Sequence, residues 1–240
     1  MRYGRQNLNS QNKLSAKAFV KPDENIYADA FNSILRLIIL AHLLMLQSEN
    51  GIDGLAEELL RNKLLKYIKQ KQGTFGLAQY VFDAESAEID EVTDITKGYN
   101  DIRITIPTND AFSEEEQKHY TVECKRLDGN SEKNKAYIEE GIFRFITGKY
   151  ASKMSLAGMV GFIEKSNKKV EGDRITAIID DINNKLTGQF AKADCEKLTN
   201  VSVDQNFRNS YQSKHSRDNH LGNIDITHLF LDNTIACINS

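Results

Sequence analysis

His119-Tyr-Thr-Val-Glu-Cys-Lys-Arg-Leu127 has the alternation of a short β-strand, and the rest of the chain is organised around it. Successive strand side chains point to opposite faces, so Glu123 and Lys125 share a face with Thr121 and Leu127, while Tyr120, Val122 and Cys124 take the other. A carboxylate and an ammonium thus stand side by side. Upstream, Asn100-Asp-Ile-Arg-Ile-Thr-Ile-Pro107 alternates in the same way, with Ile102, Ile104 and Ile106 on one face and Asp101, Arg103 and Thr105 on the other. If the two strands are neighbours over a common core, Asp101 and Glu123 converge with Lys125 beside them.

Working outward, Pro22-Asp23-Glu24 marks the start of a long helix whose apolar face runs through Ile26, Ile34, Leu37, Ile38 and Ala41 and ends before Asn50-Gly51. Asp53 is placed to cap a second helix carrying Leu55, Leu59, Leu60, Leu64, Leu65 and Ile68, which ends near Gly73. Residues 76–86 read as a first strand, and Asp90, Glu91 and Asp94 fall in the turn after it. A polar loop over 108–118, with Glu114, Glu115 and Glu116, separates the Asp101 strand from the Glu123 strand, and Asp128-Gly-Asn130 ends the latter. A helix over 135–150 closed by Gly148, a buried strand over 156–163, a helix over 173–186 and a strand pair at 207–216 and 224–231 complete the order. Residues 1–22 are polar and basic and read as a tail, leaving 23–240 as one domain.

Composition narrows the classes. At 240 residues the chain can bury a sizeable core, and two prolines leave little room for extended linkers. The net charge of −3 does not suit a free-standing non-specific DNA binder, so any nucleic-acid surface must be local or shared with a partner. Cys124, Cys195 and Cys237 lack the spacing of a disulfide framework or a structural zinc site, which makes the cytoplasm the expected home. The apolar run 35–46, interrupted by Arg36 and His42, is expected to be a buried helix rather than a membrane span. The N-terminus lacks the apolar core of a signal peptide, so export is not expected.

Gly98-Tyr-Asn-Asp101 followed by Glu123-Cys-Lys125 resembles the PD-(D/E)xK nuclease superfamily, with Asn100 where the motif usually has proline. The resemblance implies an α/β fold with a restriction-endonuclease-like core of helix, three strands, helix and strand, here with an added N-terminal helix and C-terminal strands. Tyr137 to Tyr150, Met154 to Ile163, Tyr211-Gln-Ser-Lys-His-Ser-Arg217 and His228-Leu-Phe-Leu-Asp232 are similar to small restriction-endonuclease-like proteins of bacteria, which implies a defence-associated nuclease. The implied chemistry is a carboxylate pair, Asp101 and Glu123, holding Mg²⁺ or Mn²⁺ with the carbonyl of Cys124, beside Lys125. Lys125 either positions the attacking water or stabilises transition-state charge.

Two readings stand for Glu57, whose helical phase puts it within the leucine-rich face while Glu58 lies nearer the exposed side. One is an intrahelical pair with Arg61; the other is the acidic residue that many members of the superfamily contribute from the first core helix. Tyr137, Arg144, Lys149 and Tyr150 are candidates to contact phosphate or orient Lys125, and His215 and Arg217, sharing a strand face, are candidate phosphate readers. With Arg126, Lys133 and Lys135 these groups are expected to form a local positive surface for DNA, widened by a homodimer through 26–47 or by a defence-system partner subunit. Two alternatives remain open. The same fold could be a catalytically silent subunit that binds nucleic acid or a partner, or Glu123 and Lys125 could be a surface ladder in an unrelated α/β protein.

Overall fold

The computed structural model describes residues 24–49, 51–89, 96–107, 118–151, 154–165, 173–190, 196–217 and 221–235. The 1–22 tail, the turn with Asp90, Glu91 and Asp94, the acidic run Glu114 to Glu116, Cys195 and Cys237 lie outside them. Two helices, α1 (Glu24–Ser48) and α2 (Glu57–Lys71), precede an antiparallel meander of β1 (Val81–Ile89), β2 (Thr96–Thr105) and β3 (His119–Leu127). An interrupted helix follows as α3 (Ser131–Tyr137), a π turn (Ile138–Ile142) and α4 (Phe143–Ile146), and leads to β4 (Leu156–Ile163). Helix α5 (Arg174–Thr187), β5 (Thr199–Asn200), β6 (Ser210–Ser216) and β7 (Asn223–Asp232) follow among the described residues.

The described strands join one seven-stranded, mostly antiparallel sheet in the order β1-β2-β3-β4-β7-β6-β5, in which β4 runs parallel to both β3 and β7. Alternation sorts its side chains into two cores. On one face Ile102, Ile104, Tyr120, Val122, Cys124 and Val160 meet the apolar rows of α1 and α2. On the other, Leu127, Ala157, Met159, Ile226 and Phe230 meet α3, α4 and α5. This two-sided burial makes β4 almost continuously apolar, as a central parallel strand requires.

Helix α1 is longer and more apolar than the run 35–46 alone suggests, and Ile26–Ser48 is long and apolar enough to cross a membrane. In the fold its inner residues, from Phe31 through Met45, are buried as a core helix. His42 interrupts that face because its Nε2 is hydrogen-bonded to Asn233 Oδ1 at 3.0 Å.

Helix boundaries differ from expectation in two places. Helix α2 starts at Glu57 with Ala56 in the capping position and no side-chain cap. Asp53 instead accepts the Lys165 backbone N–H at 2.9 Å, binding the segment before α2 to the end of β4. The helix expected over 135–150 begins at Ser131, because Asn130 accepts the Glu132 N–H. It then widens into the π turn around Gly141, which packs so closely on Met159 that a Cβ there would displace the methionine tip.

Candidate active site

The β2–β3 ladder runs from Thr105↔His119 to Ile102↔Val122, and one further step would set Asp101 opposite Glu123. Pairing ends there, and the Cys124 backbone N–H donates to Asp101 Oδ2 at 2.8 Å. On the other side of β2, the ladder with β1 passes from Ala84↔Ile102 to Ser86↔Asn100 and omits the residue between, Glu85, opposite Asp101. Glu85 has a φ of +52°, a strained conformation for a non-glycine strand residue that redirects its side chain.

Helix α2 and the helix after β3 close on this gap. Lys125 Nζ donates to Glu123 Oε1 at 2.9 Å, to the Cys124 carbonyl at 3.0 Å and to Glu57 Oε1 at 3.4 Å. The second oxygen of Glu57 accepts the Arg126 backbone N–H at 3.0 Å. One turn along α2, Arg61 donates to Asp101 Oδ1 at 3.0 Å and to Glu85 Oε1 at 2.8 Å. Glu57 therefore faces the cluster, Glu58 is exposed, and Arg61 is committed to Asp101 and Glu85 rather than to an intrahelical pair with Glu57.

From α4, Arg144 Nη1 donates both to Glu123 Oε1 and to the Tyr150 hydroxyl at 2.8 Å, and Tyr150 donates to the Tyr99 carbonyl at 2.8 Å. The π turn just before α4 adds a residue to the helical period and so sets the direction from which Arg144 enters. Lys149 Nζ lies 5.9 Å from the Tyr150 ring centroid.

Glu123 is 1% exposed, and burial pushes its carboxyl up to about 7, against the pull of Lys125 and with the help of Asp101's charge. Its Oε1 takes both cations, whereas its Oε2 is buried with no hydrogen-bond partner. For Lys125, burial disfavours the ammonium, but Glu123, Glu57 and Asp101 together outweigh it and raise its pKa. Glu123 favouring its proton and Lys125 holding its own pull in opposite senses. Lys125 is the charged member, since three carboxylates surround it, and the cost of desolvation falls on Glu123.

Several residues read from the sequence lie elsewhere. His215, a candidate phosphate reader, is 1% exposed and bonded through Ser213 Oγ to His228, which in turn meets the Tyr137 hydroxyl. Burial lowers His215 to about 4 and His228 to about 3, so both imidazoles are neutral and enclosed. Tyr137 belongs to this network and not to a phosphate surface. Arg217 donates to the carbonyls of Ala151, Met154 and Leu221, tying the β6 end to the segment before β4. The expected positive surface is also reduced by ion pairs of Arg126 with Glu164, of Lys133 with Asp128 and Glu164, and of Lys135 with Glu139. Cys124 buries its thiol in the α1–α2 core and offers the site its carbonyl and N–H.

Sequence reasoning missed Arg61, Glu85 and Tyr99 as members of this site. Arg61 carried a signal, a cation beside the leucine-rich row of α2. Glu85 carried none, because strand alternation does not foresee a positive φ.

Among the described residues no three His, Cys, Asp or Glu side chains converge as a metal-binding group. A hard divalent cation such as Mg²⁺ needs only one or two carboxylates, with waters and substrate oxygens completing its shell. The partnerless Oε2 of Glu123, Asp101 and the Cys124 carbonyl supply oxygen donors of that kind. The donor set therefore fits such an ion. In comparisons with known proteins, no family model, curated protein or solved structure matches the chain.

Proposed function

We propose that this chain is a metal-dependent endonuclease that hydrolyses phosphodiester bonds of DNA, built on a restriction-endonuclease-like core. The observation that carries the reading is Asp101 just past the last β2–β3 pair, where it accepts the Cys124 N–H, with Lys125 bonded to Glu123 and to Glu57 at 3.4 Å. The order α2, β1 to β3, α3–α4 and β4, with β3 and β4 parallel, supports the same reading.

Mg²⁺ or Mn²⁺ held by Asp101, Glu123 and the Cys124 carbonyl would supply charge neutralisation at the scissile phosphate and acidity to water. The protein groups have separate tasks. Lys125, with its raised pKa, is a donor and not a general base: its ammonium orients water and offsets charge that grows on the phosphate. Glu57 positions Lys125 and is itself fixed by the Arg126 N–H. Arg144, partly exposed beside Glu123, is placed to meet a non-bridging phosphate oxygen. The resemblance to bacterial defence proteins makes foreign DNA in the cytoplasm the substrate of this reading.

A second reading has its own support. Both oxygens of Asp101 and Oε1 of Glu123 already accept hydrogen bonds, from Arg61, the Cys124 N–H, Lys125 and Arg144, which suits a silent subunit that binds nucleic acid without metal. Incubating plasmid DNA with the purified chain and Mg²⁺, beside Asp101→Asn and Lys125→Met, separates the two. The nuclease reading expects cleavage that falls on the order of 10²-fold or more in either variant. DNA binding with no cleavage and no Mg²⁺ uptake by calorimetry replaces it with the silent subunit.

A further inference from the structure

The described cations around the site are largely engaged. Arg126, Lys133 and Lys135 sit on carboxylates, His215 is buried, and Arg217 holds backbone carbonyls. Duplex DNA is gripped mainly through its phosphates, by cations that release counterions, and a chain of net charge −3 has little of that term here. Another source of affinity lies beside the carboxylates.

Tyr99 is 61% exposed and is the one aromatic among the exposed large hydrophobic residues of the described chain. Strand alternation gives it the face of Asp101, two residues on, roughly 6.6 Å along β2. Its backbone is held on both sides: it pairs with Ala87 of β1, and its carbonyl accepts the Tyr150 hydroxyl. Tyr150 also accepts from Arg144, which reaches Glu123, so a continuous hydrogen-bonded string joins the backbone under the exposed ring to the carboxylate centre. Arg144 and Lys149 lie 5.3 and 5.9 Å from the ring of Tyr150, whose hydroxyl meets the Tyr99 carbonyl. An exposed π-face on a held backbone, about one nucleotide's reach from the proposed phosphate site, suits a nucleobase.

We propose that Tyr99 is a stacking platform for an unpaired nucleobase, and that the site takes single-stranded DNA, or a strand opened from the duplex, in preference to intact duplex. The inference rests on the proposed function for the position of the phosphate, between Asp101, Glu123 and Arg144. Bases within a duplex are already stacked on one another, so only an unpaired base offers its face to Tyr99. Stacking of this kind tolerates any base and depends less on salt than phosphate contacts do.

The test has a binding arm in chelator and a cleavage arm in Mg²⁺. In the first, fluorescence anisotropy compares a labelled oligothymidylate of about twelve nucleotides, an abasic strand of equal length and a blunt duplex. The oligothymidylate is expected to bind the parent roughly 5- to 150-fold tighter than the abasic strand. Tyr99→Ala is expected to erase that difference and Tyr99→Phe to restore it. Equal binding of the abasic strand, tighter binding of the duplex, unchanged binding by Tyr99→Ala, or no binding of any strand overturns the proposal. The second arm separates it from its premise. Tyr99-dependent binding without cleavage keeps the subsite and rejects the nuclease, whereas cleavage by the parent and Tyr99→Ala at the same KM keeps the nuclease and rejects the subsite.

Discussion

Replacing Glu123 by Gln isolates the feature that most distinguishes this site, a buried carboxylate with one oxygen unmet. Burial raises the Glu123 carboxyl from its ordinary 4.5 to about 7, which means that the folded protein binds this proton about 3 kcal/mol more tightly than the unfolded chain does. The folded pKa is the higher of the two. The stabilising contribution is therefore whole below pH 4.5 and is lost as pH rises through about 7. Gln keeps the shape and cannot ionise, so the stability of Glu123→Gln relative to the parent is expected to rise by about 3 kcal/mol between pH 4.5 and 7.5 in chelator. His42, His215 and His228, lowered by burial to about 4, 4 and 3, act with the opposite sign, losing their contribution as pH falls below 6.5. They are common to both proteins and cancel in the difference. Urea denaturation followed by far-UV circular dichroism at half-unit pH steps measures it. A difference that is flat or falls with pH would mean that Glu123 is ionised throughout, and the account of its unmet Oε2 would be wrong.

Other substitutions probe the supports of the site. Arg61→Met removes a charge-assisted hydrogen bond from Asp101 and is expected to cost about 1.5–3 kcal/mol in denaturant titration, whereas Glu85→Gln, at a side chain 59% exposed, is expected to cost under about 1 kcal/mol. Tyr137→Phe leaves the buried His228 Nδ1 without its partner and is expected to cost about 1–3 kcal/mol by the same measurement. Gly141→Ala drives a methyl group into the Met159 tip, a flexible side-chain end that can turn aside, while removing a helical glycine, so its cost by thermal and urea unfolding is expected to stay under about 1 kcal/mol.

Local pattern determined a good deal of this molecule. Period-two alternation put Asp101 and Glu123 on strand faces turned away from the isoleucines, and the helical period put Glu57 rather than Glu58 toward them. The sites of α1, β3, β4 and α5 followed from apolar periodicity, because burial of one face selects the period that keeps that face continuous. Such patterns fix direction along an element. They do not say what stands opposite.

Partners were therefore decided by the tertiary structure alone. Arg61 could have closed on Glu57 four residues away, but the gap between β2 and β3 brought it Asp101 and Glu85, from positions distant in the chain. His215 alternates as a surface residue would, yet its face of β6 meets His228 of β7 in a closed core, and desolvation turns a candidate phosphate ligand into a neutral link to Ser213. Asp53 had the sequence context of a helix cap and found the end of β4 instead. Periodicity is a property of neighbours along the chain, whereas ion pairing, burial and protonation depend on the distances between elements, which only the assembled sheet and its two helical layers set.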